Sequence, residues 1–456
     1  MLSKQRLWIY VPLVSFALIC LLFYSEALTD LHIPTSLNSF DISSDAPLHS
    51  DAELTASLSG IGEKIIPPGS FDGLYDLCNT TQWQPGLWLH CHSFCGANRT
   101  SICGGLNNAR NRVQTCLRLA IDAGAGLIIP SATTRDKLDH MIMTDDRVVC
   151  ADEFWNIESL KRDLGEQCPQ LVLRMCDDRS GIQTVVESDL RSYLNPSYSL
   201  GGFREHIESL FEGREMVLED VSVENPVVVN FGDAYLGWNY RTANEFSTIR
   251  KALFKVLKFN QELLDLGAKI SKSERLNNGA YIGVHLRGEV DWPASFGSAD
   301  DQMRLYSEEI LRIQNSVSYD ISTVYVSCGD QPAIQRFRDI LAPLNFTVVD
   351  KSILLSSSPD ILAQVNALAF DQKAIIEYQT LVDARYWMGL TMSSMSALIA
   401  YARTINNTGD LFDEYVYPGS SKNGLNRYYK GNSVMKGDRW TKLMIVNGVD
   451  IMDTFP

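Results

Sequence analysis

Between residues 280 and 404, short apolar runs of strand length alternate with longer segments of helical periodicity. The predicted strands are 280–287, 323–327 and 346–349, and the predicted helices are 299–313, 332–341, 369–387 and 395–404. Strands that alternate with helices in this way form a parallel sheet, because each crossover returns the chain to the same end of the sheet. Ligands of such sheets bind at the carboxyl ends of the strands. This part of the chain is therefore expected to be an α/β domain.

The part of the chain before residue 280 gives a similar but weaker pattern, with no clear periodicity between 180 and 224. The predicted elements are a helix at 106–123, a strand at 126–130 and further helices at 152–164 and 246–270. Because 456 residues exceed one ordinary core, we expect two α/β domains that face one cleft. Their predicted extents are 67–245 and 246–456.

The first 66 residues have a different character. Residues 7–24 carry no charge, and Lys4 and Arg6 precede them. A run of this length can cross a bilayer, and its positive flank favours the cytoplasmic side. We therefore expect a cytoplasmic tail and signal-anchor helix at 1–24 and a flexible lumenal stem at 25–66. A cleaved signal peptide is the alternative, and both interpretations place the remaining chain in the secretory pathway.

Cysteine usage agrees with an oxidising compartment. Eight of the ten cysteines fall between Cys78 and Cys176, a clustering that is typical of a region held by disulfides. Cys20 lies in the apolar run, and Cys328, alone on a predicted strand, is expected to be free. N-glycosylation sequons, which also belong to the secretory pathway, begin at Asn79, Asn98, Asn345 and Asn406.

Several other classes of ligand have little support in the sequence. The formal net charge of −15 argues against nucleic acid, which requires a basic surface. No Gly-x-Gly-x-x-Gly occurs, so the dinucleotide-binding fingerprint is missing. His90, Cys91, His92 and Cys95 could be read as a zinc site, but their spacing does not fit the usual zinc patterns. Disulfides are the preferred interpretation of these cysteines.

The strand predicted at 280–287 ends in a candidate anion site. Alternate side chains of a strand share a face, so Gly283, His285 and Arg287 lie together while the two apolar residues between them face the core. The glycine is expected to leave space for a ligand beside the histidine and the arginine. The carboxyl end of the strand is also where a ligand of a parallel sheet would bind.

Arg287 carries the chemistry expected at this site. A guanidinium matches two phosphate oxygens with a planar fork, and it can stabilise negative charge on a departing diphosphate. Asp291 and Trp292 follow in the next loop, within reach of the same crevice. A structural ion pair of Arg287 with Glu289 or Asp291 is the alternative interpretation.

Three blocks of the sequence resemble a known family. His285–Trp292 resembles the H-L-R-x-x-x-D-W signature of protein O-fucosyltransferases. Gly104–Arg110 resembles the G-G-L-N-x-x-R segment of the broader O-fucosyltransferase-like superfamily of plants and fungi. Phe370–Arg403 resembles the C-terminal motif of the family, in which an acidic residue precedes a Ser-Ser-Phe-Ser/Thr turn. The blocks occur in the family order and together cover about residues 100–405.

The resemblance implies a GT-B-like fold, with two Rossmann-like domains facing a cleft. Residues 67–245 would then form the acceptor side and 246–456 the nucleotide-sugar side. Family members transfer fucose from GDP-fucose to a hydroxyl group with inversion and without a metal or other cofactor, and the lack of any Asp-x-Asp triplet agrees with this. The implied partners are a GDP-sugar donor and a protein or glycan acceptor. With the N-terminal helix, the chain is expected to be a single-pass type II protein of the Golgi or endoplasmic reticulum membrane.

The resemblance also implies roles for individual residues. Arg287 would hold the β-phosphate and stabilise the leaving GDP, while Asn107 and Asn108 would face the sugar and the acceptor; these three form the expected catalytic set. Glu377 would accept hydrogen bonds from guanine N–H groups. The expected donor-binding residues are His285, Asp291, Trp292, Gly104, Gly105, Glu377, Ser393 and Ser394.

Three positions depart from the family pattern. Met395 replaces the usual Phe, Gly288 stands where a basic residue often follows the arginine, and Glu289 adds a negative charge near a diphosphate. These departures leave two alternatives open. One is a catalytically silent relative that binds a glycan or a protein, and the other is a transferase of the same fold that uses another nucleotide sugar.

Overall fold

The computed structural model describes residues 72–96, 99–135, 143–189, 203–232, 243–293, 298–390, 393–406, 433–435 and 441–446. The chain divides into two units, Met1–Pro67 and Pro68–Pro456. The predicted anchor and stem, together with Cys20 and Asn98, lie outside the described residues. Within the described ranges, no helix is both long enough and apolar enough to span a membrane.

The secondary structure of the second unit mixes strands and helices throughout. The strands are β1 (Leu87–His92), β2 (Gly126–Ile128), β3 (Ala132–Arg135), β4 (Met143–Val149), β5 (Leu173–Arg174), β6 (Thr184–Asp189), β7 (Val227–Gly232), β8 (Ile282–His285), β9 (Thr323–Ser327), β10 (Thr347–Val349), β11 (Tyr386–Leu390), β12 (Ser433–Met435) and β13 (Thr441–Val446). The helices are α1 (Asp72–Thr80), α2 (Leu106–Ala123), α3 (Ile157–Gln167), α4 (Phe203–Glu212), α5 (Ala243–Val256), α6 (Gln261–Ser271), α7 (Ala299–Ser316), α8 (Gln331–Leu341), α9 (Lys351–Leu355), α10 (Pro359–Ala367), α11 (Phe370–Val382) and α12 (Ser394–Asn406).

The first sheet comes from the N-terminal half of this unit. Its strand order is β5-β2-β1-β7-β6, and every pairing in it is parallel. Helix α2 has the predicted bounds and ends at Gly124, whose positive φ of 68° forms a left-handed C-cap. Strands β6 and β7 lie in or just beyond the stretch that gave no clear sequence pattern.

The second sheet comes from the C-terminal half. Its order is β10-β9-β8-β11-β13-β12, with all pairings parallel except that of β12 with β13. The alternation predicted after residue 280 is therefore confirmed, and the described residues have a mixed α/β fold that includes these two largely parallel sheets. Strand β8 lies between β9 and β11 and runs parallel to both. Its carboxyl end therefore lies between the carboxyl ends of two neighbouring strands, where ligands of parallel sheets bind.

The helix predicted at 369–387 is too long. Helix α11 ends at Val382, and the following residues form β11, which pairs with β8 and β13. Trp387 and Met388 are fully buried. A run of aromatic and apolar residues that is buried on both faces suits an interior parallel strand, and this burial overrides the continued helical spacing.

The single helix predicted at 246–270 is also wrong, because the chain breaks it into α5 and α6. Arg110 is buried and donates to the carbonyl oxygens of Phe254 at 3.0 Å and Leu257 at 2.7 Å. These carbonyl groups at the end of α5 therefore have hydrogen-bond partners without a further helical turn. Asn260 begins the next helix, since its side chain accepts from the Glu262 N–H at 3.0 Å. A local cap and a distant arginine together outweigh the apolar periodicity.

Disulfides hold the N-terminal half, as the clustering of cysteines predicted. The pairs are Cys78–Cys168, Cys91–Cys116, Cys95–Cys103 and Cys150–Cys176. Because Cys91 and Cys95 are used in this way, the zinc alternative for His90–Cys95 is wrong. Cys328 is free and buried, as predicted.

Candidate active site

The three sequence blocks that resemble the family line one cavity of about 240 Å³. The wall of this cavity includes Gly105, Asn107, Asn108, Arg135, His285, Arg287, Glu289, Asp291, Cys328, Gly329, Lys351, Lys373, Asp371, Glu377, Ser393 and Ser394. They come from the start of α2, the ends of β3, β8 and β9, and the first turns of α9, α11 and α12. Segments up to about 290 residues apart in sequence therefore share one site.

The carboxyl end of β8 presents His285 and Arg287 to this cavity, while Val284 and Leu286 are fully buried in the core. Gly283 does not leave room for a ligand as expected. A Cβ at this position would lie 2.9 Å from Ala384 Cβ and 3.1 Å from Leu381 Cδ2. The glycine instead allows the end of α11 to pack closely on the strand.

His285 is buried and linked to the third block, because its Nδ1 lies 2.7 Å from the Ser396 hydroxyl. Burial, with the nearby positive charge of Arg287, lowers the pKa of this imidazole from 6.5 to about 3. His285 is therefore neutral at physiological pH. A neutral imidazole at this position can donate or accept a hydrogen bond without adding charge to the site.

Arg287 makes both of the ion pairs that the alternative interpretation proposed. Its Nε donates to Glu289 Oε2 at 2.8 Å, and its Nη2 donates to Asp291 Oδ1 at 3.2 Å. The Trp292 ring lies against the guanidinium, with 4.7 Å between Cζ and the ring centroid. Trp292 is not part of the cavity wall and contacts the site through Arg287. The ion pairs do not remove Arg287 from the cavity, since its side chain remains 22% exposed.

The backbone of Arg287 is held by Gln302 of α7, which sequence reasoning missed. The Gln302 side chain accepts from the Arg287 N–H and donates to the Arg287 carbonyl oxygen, both at 2.9 Å. Gln302 is 1% exposed. These two hydrogen bonds fix the backbone position from which the Arg287 side chain extends into the cavity. Its only sequence signal is a polar residue on the buried face of a helix.

Glu289 is fixed from two sides. Its Oε2 accepts from Arg287, and its Oε1 accepts from the Gly329 N–H at 2.7 Å. Burial acts to raise the pKa of this carboxyl, but Arg287 and the Gly329 N–H outweigh burial and lower that pKa below its usual value. Glu289 is therefore ionised at neutral pH.

The start of α2 forms a second wall of the cavity. Gly105 is the N-cap residue of this helix and lines the cavity, whereas Gly104 has φ of 97° and lies just outside the wall. Asn107 is 6% exposed, and its Oδ1 is buried without a hydrogen-bond partner. A buried amide oxygen in this state suits a ligand hydroxyl or amine. Asn108 lines the same wall.

The start of α12 also borders the cavity. The Ser393 carbonyl oxygen accepts from the Ala397 N–H at 2.9 Å, so Ser393 occupies the N-cap position of a 13-residue helix. Ser393 is buried, and Ser394 is the first residue of the helix. Two helix N-termini, those of α2 and α12, therefore meet at the cavity, and such ends favour anions.

Glu377, which the resemblance assigned to guanine binding, lines the cavity, and both of its carboxylate oxygens already have partners. The Tyr325 hydroxyl donates to Oε2 at 2.5 Å, and Lys351 Nζ donates to Oε1 at 2.7 Å. A carboxylate has about four acceptor positions, so further donors can still bind. Lys351 lines the cavity and was not predicted. The pair offers a cationic donor beside carboxylate acceptors.

Arg135 and Asp371 connect the two halves of the unit at the cavity, and neither was predicted as a site residue. The Arg135 N–H donates to Asp371 Oδ2 at 2.9 Å, and Arg135 Nε lies 3.9 Å from Oδ1. Burial raises the pKa of the Asp371 carboxyl. Asp371 was within a recognised block, but Arg135 ends a short strand that carries no motif.

The charges of the cavity wall balance. Four basic side chains face four carboxylates, namely Arg135, Arg287, Lys351 and Lys373 with Glu289, Asp291, Asp371 and Glu377. Within the described part of the chain, no cluster of three or more His, Cys, Asp or Glu side chains is arranged to hold a metal ion. The positive groups that the cavity wall itself presents to an anion are arginines, lysines and helix N-termini.

One family model matches part of the chain. Residues 201–406 match the family model described as GDP-fucose protein O-fucosyltransferase. POFUT1 in complex with GDP is 12% identical over 72% of this chain and 97% of that chain (TM-score 0.41), and the apo-form of POFUT1 is 12% identical over 71% and 96% (TM-score 0.44). Fucosyltransferase NodZ from Bradyrhizobium is 13% identical over 70% and 93% (TM-score 0.38). No curated protein matches the chain.

The family model covers both the β8 block and the α12 block, and the cavity brings these blocks together with the start of α2. Residues 201–406, which include the β8 and α12 parts of this cavity, are thus similar to the GDP-fucose protein O-fucosyltransferase family.

Proposed function

We propose that this protein transfers fucose from GDP-fucose to a hydroxyl group of a protein or glycan acceptor in the secretory pathway, with inversion and without a metal ion. The observation that carries the proposal is the meeting of the three family blocks around one cavity, with Arg287 at the end of β8. A GT-B arrangement, with the donor held by the C-terminal half and the acceptor entering between the halves, is part of the proposal.

In this proposal Arg287 binds the diphosphate and stabilises the charge that develops as GDP leaves. Gln302 fixes its backbone, and the Trp292 ring supports its guanidinium. The N–H groups at the start of α12, with the Ser393 and Ser394 hydroxyls, supply further donors to phosphate. Preorganised donors of this kind cost little reorganisation during the reaction.

The start of α2 is proposed to bind the sugar and the acceptor. The unpartnered Oδ1 of Asn107 can accept a hydrogen bond from a hydroxyl group of either. Departure of GDP early in the reaction leaves a strongly electrophilic sugar, which reduces the need for a carboxylate base. Asn107 and Asn108 then orient the acceptor hydroxyl, whose oxygen bonds to C1 of the sugar as the C1–O bond to GDP breaks, and whose proton passes to a phosphate oxygen of the departing GDP.

A donor screen tests this function. The full chain would be incubated with GDP-fucose, other GDP-sugars and UDP-sugars, and release of free nucleotide would be measured for each. The proposal predicts release from GDP-fucose above all other donors. Release of nucleotide from a different nucleotide sugar would show that this other sugar is the donor. Absence of both nucleotide release and GDP binding would identify a catalytically silent relative.

Membrane anchoring through residues 1–24 is a separate proposal. It rests on the uncharged run that follows Lys4 and Arg6. Carbonate extraction of cell membranes distinguishes an anchored chain, which stays in the pellet, from a chain released by signal-peptide cleavage.

A further inference from the structure

Glu289 links the end of β8 to the turn that follows β9. One carboxylate oxygen accepts from Arg287 Nε at 2.8 Å and the other accepts from the Gly329 N–H at 2.7 Å. The side chain is 10% exposed. A Cβ at position 329 would lie 3.0 Å from Glu289 Cγ, so the carboxylate is also packed against this turn. Glu289 is thus held in place independently of Arg287.

The same guanidinium is the group that the proposed donor needs. Arg287 has five N–H donors, of which Glu289 takes the one on Nε and Asp291 takes one on Nη2. Arg287 therefore faces two carboxylates before any ligand binds, and the local formal charge of these three side chains is −1. A diphosphate that approaches Arg287 must share it with these carboxylates and is repelled by them.

Glu289 differs from Asp291 in how tightly it is fixed. Its contact with Arg287 is shorter, and its side chain is 10% exposed compared with 26% for Asp291. Screening by water is weaker for the more buried charge. Glu289 also accepts a hydrogen bond from the Gly329 N–H, which follows β9. This contact to Glu289 does not depend on Arg287.

We propose that Glu289 competes with the diphosphate for Arg287, which weakens the binding of GDP and promotes its release after transfer. The inference rests on the proposed function, since it assumes that GDP occupies this cavity. It assigns Glu289 the role of setting affinity for the donor and the product. Neutralising Glu289 therefore tightens GDP binding, while guanosine, which has no phosphate, binds as before.

Isothermal titration of the full chain with GDP and with guanosine tests the inference. Glu289→Gln removes the charge but keeps an acceptor for the Gly329 N–H. Glu308→Gln is the matched control, because it removes the same charge from an exposed pair with Arg304. We expect Glu289→Gln to lower the Kd for GDP about tenfold, with the Kd for guanosine unchanged, and Glu308→Gln to change neither.

Three results would contradict the inference. Equal or weaker GDP binding by Glu289→Gln would show that Glu289 aims Arg287 at the phosphate and does not compete with it. Tighter binding of guanosine to the same extent would place the effect in the base pocket. Binding of neither ligand by the natural chain would overturn the proposed function itself, before any variant is compared. Thermal melting confirms folding, and Glu289→Ala serves as a second neutral variant.

Discussion

The Nδ1 atom of His285 and the hydroxyl group of Ser396 lie 2.7 Å apart, and this contact joins the end of β8 to the first turn of α12. The Ser396 hydroxyl also accepts from the Leu390 N–H at 3.1 Å, at the end of β11. Two blocks that are more than 100 residues apart in sequence are therefore tied at one buried point. The tie holds a neutral imidazole beside Arg287.

Burial of neutral His285 predicts a specific loss of stability in acid. The pKa of His285 is about 3 in the folded chain, against an ordinary value of 6.5. The unfolded chain therefore takes up a proton below pH 6.5 that the folded chain does not. Between pH 7 and pH 5 this difference lowers the free energy of unfolding by roughly 2 kcal/mol. The stabilisation is complete above pH 6.5 and falls as the pH drops.

Urea unfolding of the natural chain and of His285→Gln, at pH 7 and pH 5, measures this effect. Other titrating groups contribute to both proteins, so the difference between their pH dependences isolates His285. We expect the variant to lose about 2 kcal/mol less on acidification. Identical losses would show that His285 is not held neutral.

Asn107 is predicted to matter for turnover and not for stability. Its Oδ1 has no partner to lose, so Asn107→Ala should change the free energy of unfolding by less than about 1 kcal/mol. Loss of a hydrogen bond to the sugar or the acceptor should lower kcat about 10- to 100-fold, with the Kd for GDP unchanged. Measurement of both quantities on one preparation separates these effects.

Asn230→Ala is the contrasting variant. This buried residue lies 2.9 Å from His90 and donates to Glu187, so its loss should cost about 1–3 kcal/mol of stability. If Asn107→Ala destabilises the chain as much as Asn230→Ala does, the amide of Asn107 has a structural role that its unpartnered oxygen does not reveal.

Gly288 is predicted to be required by packing. A Cβ there would lie 2.7 Å from Ala333 Cβ, and Ala333 is fully buried at the start of α8. Gly288→Ala should therefore destabilise the chain by about 1–3 kcal/mol. Adding Ala333→Gly should restore at least about 1 kcal/mol beyond additivity, as measured by urea unfolding of both single variants and the double variant. Strict additivity would mean that the two positions do not press on each other.

The steric contact at Gly288 also explains a departure from the family pattern. A basic residue after the arginine is common in the family, but here the approach of α8 leaves no room for a side chain. Glu289 then occupies the space beside Gly329. The sequence shows that Gly288 and Glu289 depart from the family pattern. It does not show that both lie against residues near the start of α8.

Much of the site could be predicted because local patterns carry it. The end of β8 follows from strand alternation, and the block that contains Ser393 follows from the family resemblance. Apolar periodicity also gave the bounds of α2. These features depend on a few consecutive residues, so they can be recognised in the sequence without knowledge of distant contacts.

Other parts of the site depend on distant contacts and could not be predicted. Arg135 reaches the cavity because a short strand ends beside Asp371, which lies 236 residues later. Lys351 is defined by its pairing with Glu377. For Arg287 the sequence left a phosphate site and an ion pair as alternatives, whereas the structure places an ion-paired arginine on the cavity wall.

Arg287 is proposed to stabilise GDP as it leaves. Release of GDP from GDP-fucose by the full chain, compared with release by Arg287→Ala, measures this role. Arg304→Ala, which removes an exposed arginine paired with Glu308, is the matched control. We predict that Arg287→Ala lowers the rate about 100- to 1000-fold, while Arg304→Ala leaves it within about twofold. Unchanged GDP release by folded Arg287→Ala would show that Arg287 does not have this role.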